Sequence, residues 1–125
     1  MRLEKELIYD RLSELYDTYD REAPDDVPAN YLVYHLDEFQ MHYERNDYRL
    51  TVSCITTVDE DGSAPDLDAM VDAVKSALYF ESFTTEDLTY TFYYDGASEV
   101  EELDKNIKRV DVRFTIVGYE PVERT

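Results

Sequence analysis

Every second residue from Tyr48 to Cys54 is apolar or aromatic, with Arg49, Thr51 and Ser53 between them. A strand points alternate side chains to opposite faces, so such a run buries one face of a sheet and leaves the other polar. The same period returns in Leu88, Tyr90, Phe92 and Tyr94, and again in Val110, Val112, Phe114 and Ile116, which alternate with Asp111, Arg113 and Thr115. Asn30 to Phe39 is also rich in β-formers, with Tyr31, Val33 and His35 on one face and Leu32, Tyr34 and Leu36 on the other. The spacing predicts two antiparallel hairpins, over residues 30–58 and 87–119. The polar stretch Glu44, Arg45, Asn46 and Asp47 separates the strands of the first.

Two further segments carry a helical period. Leu3, Leu7, Ile8, Leu12, Leu15, Tyr16 and Tyr19 recur at steps of three and four, the stripe of an amphipathic helix over residues 2–20. Pro24 and Pro28, with Asp25 and Asp26, end it. Leu67, Met70, Val71, Val74 and Leu78 form a second stripe, with Asp66 as its expected cap and Asp68 and Asp72 near its positive end. Ser98 and Glu101 have capping-box spacing, which predicts a short helical turn over 98–106. The expected element order is α-β-β-α-β-β. It implies an α+β fold, a two-layer sandwich in which a mainly antiparallel sheet of two β-hairpins carries two helices on one face. Residues 1–125 read as one domain, without repeat, linker or low-complexity stretch.

The charge limits the partners. Thirty acids against 12 bases give a net charge of −18, yet 43% of the chain is apolar and 14% aromatic, enough for a folded core rather than an acidic disordered tail. Such a surface works against binding DNA, RNA or an anionic bilayer, since each phosphate contact needs Lys or Arg. Only four of the bases are lysines (Lys5, Lys75, Lys105 and Lys108), an acidic, Lys-poor composition like that of halophilic proteins. No apolar run approaches the roughly 20 residues that span a bilayer, and Met1–Asp10 has no apolar h-region of a signal peptide. One cysteine, Cys54, permits no internal disulfide and suits a reducing, intracellular origin.

Catalytic and metal chemistry find little to stand on. The loop Asp59–Asp68 holds five acids, but Gly62 comes fourth rather than sixth and a strand precedes it, so the EF-hand template fails and the loop reads as solvated surface. His35 and His42, the two histidines, have no helical ligand spacing. Cys54 shares a face with Leu50 and Val52 and reads as a small buried hydrophobe, not a nucleophile. No catalytic, cofactor-binding or metal residue is assigned, and no cofactor. The 12 tyrosines say more. Tyr31 lies beside Leu32, and Tyr93 between Phe92 and Tyr94, so these strands are apolar on both faces and either sit in a Tyr-rich core or meet a partner. Phe39, Met41 and Tyr43 alternate into the hairpin tip, where a small domain has nothing to cover them. Together with Tyr93 they form the expected interface.

With this order in place the chain resembles the tail terminator, or tail completion, proteins of long-tailed phages and archaeal tailed viruses. The resembling features are the first helix with Leu12 and Leu15 and the strand Tyr31-Leu32-Val33-Tyr34 after a Pro-bearing loop. The helix segment Leu67-Asp68-Ala69-Met70-Val71 and the closing strand Arg109-Val110-Asp111-Val112-Arg113-Phe114 complete them. The resemblance implies a virion structural protein of the tail, assembled in the host cytoplasm as a ring, usually a hexamer. Such a ring caps the tail tube, stops its growth and joins it to the head connector, or neck protein. It also implies no enzymatic activity and no cofactor. DNA would pass an acidic lumen without specific binding, because like charges repel. Related neck proteins of the head–tail junction fit the same pattern. An acidic inhibitor that mimics DNA and fills a basic cleft is the alternative; it accounts for the charge but not for the aromatic tip.

Overall fold

In the computed structural model, the described residues are 5–24, 30–42, 45–58, 64–79, 82–84, 89–102 and 106–119. Within them the side chains of 38–42 and 45–46, at the tip of the first hairpin, lie outside the description. The elements run α1 (Lys5–Ser13), β1 (Asp17–Asp20), β2 (Tyr31–His42), β3 (Arg45–Thr57), α2 (Pro65–Leu78), β4 (Ser82–Thr84), β5 (Thr89–Val100) and β6 (Ile107–Tyr119). Among the described residues one six-stranded sheet takes the order β1-β2-β3-β6-β5-β4. It is mixed, since β1 is parallel to β2 and every other pair is antiparallel. The class is α+β.

The alternation of the sequence becomes the inner face of this sheet. Leu50 pairs with Phe114, Val52 with Val112 and Cys54 with Val110, so these side chains align across β3 and β6. Phe92 and Tyr94 continue the line on β5 opposite Ile116 and Phe114, and Leu32 and Tyr34 on β2 opposite Cys54 and Val52. Ile8 and Leu12 of α1 and Leu67, Met70, Val74 and Leu78 of α2 join them in one buried cluster. Tyr48 and Tyr90 meet edge-on at 6.0 Å between centroids, and Tyr94 meets Phe114 at 5.9 Å. Each fully buried side chain of this size contributes about 1.5–3 kcal/mol.

The structure corrects the sequence reading in several places. Helix α1 ends at Ser13 rather than residue 20: the Leu12 carbonyl accepts from both Leu15 N and Tyr16 N, which closes a turn. The next residues leave the helix for β1, where the Thr18 hydroxyl donates to the Tyr16 carbonyl and the Tyr19 ring stands edge-on to Tyr31. A β-branched residue with a hydroxyl that bonds nearby backbone suits a strand better than a helix. The two-hairpin sheet therefore gains a parallel strand at one edge and the short β4 at the other.

The predicted turn over 98–106 is instead the far half of β5 up to Val100, with 103–105 outside the described residues. A bulge between Tyr94 and Gly96 inserts Asp95, so the alternation slips by one and hides the strand. Gly96 takes φ 139°, a value side chains rarely adopt. Finally, Asp66 is not the cap of α2. Ala64 holds that position without a side-chain bond, Pro65 begins the helix with its fixed φ, and the Asp66 carboxylate accepts from Asn30 Nδ2 at 3.2 Å. The polar stretch of the first hairpin is also shorter than expected, since Arg45, Asn46 and Asp47 already belong to β3.

Candidate assembly interface

The helices leave one face of the sheet open among the described residues, and its polar side chains are organised. Ser53, Asp111 and Ser98 stand in line across β3, β6 and β5. Arg109 and Asp111, two apart on β6, share a face; the guanidinium grips the carboxylate twice, Nε to Oδ1 at 2.8 Å and Nη2 to Oδ2 at 3.1 Å. Ser53 Oγ donates to the same Oδ1 at 2.7 Å, and Arg109 Nη1 reaches Glu102 Oε1 at 3.4 Å. Burial by itself would raise the Asp111 pKa. The hydrogen bonds from Arg109 and Ser53, with the positive charges of Arg109 and Arg113, outweigh it and hold the carboxyl below its ordinary value. Arg113 donates to Ser98 Oγ at 2.9 Å, and the Thr115 hydroxyl donates to Asp95, the bulge residue. Asp37 stands opposite Arg49 in the β2–β3 register. The open face is thus a sheet of matched charges and hydroxyls rather than a basic surface.

Of the four interface residues expected from the sequence, Tyr93 lies on this open face, 42% exposed and opposite Thr115. Phe39 and Met41 fall at the end of β2, with their side chains outside the description, and Tyr43 lies outside the described residues altogether. Tyr79, also 42% exposed, packs at 5.9 Å against Tyr94, over whose ring Lys75 Nζ sits at 4.4 Å.

The chemical candidates separate in the same way. Cys54 is buried, and burial first, then the nearby Asp111 charge, pushes its thiol up to about 12, the opposite of an activated nucleophile. His35 is exposed on the open face. Among the described residues no three His, Cys, Asp or Glu side chains come together as a metal site, and residues 59–63 of the acidic loop lie outside them. No helix among the described residues is long and apolar enough to cross a membrane.

Neither edge of the sheet was anticipated. β1 covers only Tyr31–Tyr34 of β2, where Arg21 N also donates to the Tyr34 carbonyl, and β4 covers only Thr89–Thr91 of β5. Among the described residues no strand lies along β2 from His35 to His42 or along β5 from Tyr94 to Val100.

No family model matches the chain, and no curated protein matches it by sequence. Among solved structures, a chain from the virion of a native gene transfer agent particle superposes with a TM-score of 0.69, over 91% of this chain and 92% of that one. The two share one fold. Their sequences are 16% identical, so the likeness is one of architecture. The superposition takes in nearly the whole of both chains rather than a shared motif.

Proposed function

We propose that this protein is a structural component of a tailed virion, a tail terminator that assembles as a ring, caps the tail tube and joins it to the head connector. The observation that carries the reading is the end-to-end fold match with a chain of a gene transfer agent virion. The resemblance of the sequence pattern to tail terminators supports the finer role, and the ring is taken as a hexamer on the same ground. The role is structural, with no catalytic step and no cofactor. The partners are further copies of itself, the tail tube protein and the neck protein. It resides in the virion tail after assembly in the host cytoplasm. A net charge of −18 suits a passage that DNA crosses without sticking.

The test has two arms. Mass measurement of the purified protein in molar KCl is expected to give a closed oligomer, and adding it to polymerising tail tube protein is expected to fix tube length. A monomer that leaves tube growth unchanged, and instead displaces DNA from a basic protein, overturns the reading in favour of the DNA mimic.

A further inference from the structure

Resting on the ring reading, we infer that neighbouring copies join edge to edge, the outer edge of β5 in one copy pairing antiparallel with the outer edge of β2 in the next. The two stretches with no strand beside them among the described residues, His35–His42 and Tyr94–Val100, lie on opposite edges of one sheet and have nearly equal length. A ring needs such a heterologous contact, made of two different surfaces on the same chain. The directions agree as well. β2, β3, β6 and β5 alternate, so a second copy set beside the first in the same orientation brings β2 against β5 in antiparallel sense.

The covering strands fix the stagger. Across the sheet His35 is level with Gly96 and Leu36 with Tyr94, while β1 occupies one end of β2 and β4 the opposite end of β5. Without a slip only those few levels meet. A slip of about four residues, roughly 13 Å at 3.3 Å per residue, lays His35–Gln40 alongside Val100–Tyr94. The two stretches then end together at the bulges after Gln40 and after Tyr94. Four is an even number, so the faces are preserved: Asp37 meets Ser98 on the open face and Leu36 meets Glu99 on the helix side. A stagger of this kind is also what closing a sheet on itself requires.

The occupant is a second copy rather than a lone foreign strand, for a reason of area. A strand pair only about 20 Å long is a narrow contact that buries less than the roughly 1,000 Å² marking a lasting interface. A ring overcomes this because every copy makes the contact twice and the last contact closes the circle. Each copy carries a net charge of −18, so neighbouring copies repel in dilute buffer and screening by salt favours closure.

Engineered cysteines test the register, since Cys54 is buried and gives no background. Asp37→Cys and Ser98→Cys are both exposed positions and are placed in one chain; Leu36→Cys with Glu99→Cys probes the other face. After oxidation in molar KCl, each double variant is expected to give a ladder of covalent multimers ending at the ring mass, while each single variant gives none. The ladder should fade in dilute buffer. Rings of the expected mass that cross-link through neither pair, in variants that melt like the parent, overturn the edge pairing and leave the ring standing. A monomer at every salt concentration overturns both.

Discussion

Asp111 is where a single residue does most on the open face. It accepts from Arg109 and Ser53 at once, so its charged form is the one the fold holds. A carboxyl whose pKa falls on folding adds stability above its unfolded value, near 3.8, and that stability is lost as pH drops through the lower folded value. Asp111→Asn should therefore melt below the parent at pH 7, with the gap closing as pH falls below the ordinary carboxylate range. Thermal melts of both proteins across pH, in constant molar salt to suppress general repulsion, check this; a constant gap sinks it. Cys54 gives a second expectation. Buried and pushed up to about 12, it should react with a thiol reagent at pH 8 only after denaturation. Rapid reaction of the native protein contradicts the packing.

At the scale of elements, the bulge in β5 is the clearest device. Gly96 at φ 139° turns the strand, and a Cβ there meets only Arg113 Nη2 at 3.9 Å, so space is not the obstacle. Gly96→Ala is expected to cost about 1–3 kcal/mol through backbone strain alone, read as a lower denaturant midpoint with an unchanged slope. A neutral result means the local backbone relaxes. The bulge also explains why periodicity lost β5 after Tyr94: an inserted residue reverses which side chains face inward, and Ser98 with Glu101 then imitates a helix start. In α1 the stripe continued past the end of the helix because Leu15 and Tyr16 still pack on the core from a turn. Apolar spacing records contact with the core, not backbone conformation.

For the molecule as a whole, salt should set stability. Eighteen net negative charges repel in dilute buffer, and at about 1 M salt the screening length falls to about 3 Å. The melting temperature is expected to rise from dilute to molar KCl, with Ca²⁺ and Mg²⁺ acting through ionic strength alone. Sharp stabilisation by micromolar Ca²⁺ at constant ionic strength would point to a specific site in the Asp59–Asp68 loop. Met41→Asp at the hairpin tip is expected to leave folding intact and abolish assembly, as read by circular dichroism and by mass in high salt. A variant that still assembles removes the tip from the interface.

Much of the inner face was legible in the sequence, because burial on one side imposes a period of two and Leu50, Val52, Phe92, Val112 and Phe114 obey it without interruption. The second helical stripe was legible for the same reason, with Leu67, Met70, Val74 and Leu78 all buried. The role of Cys54 followed from its neighbours on that face. What the sequence could not determine was everything that depends on a partner distant along the chain. β1 exists because Tyr31–Tyr34 offers it a ladder and Tyr19 a ring to meet. Asp66 turned from cap to acceptor because Asn30 lies beside it. The Arg109–Asp111–Ser53 cluster needed β3 and β6 side by side, and which strands form the two edges among the described residues needed the order of all six described strands. Periodicity reports which way a side chain faces; only the closed sheet decides what it faces.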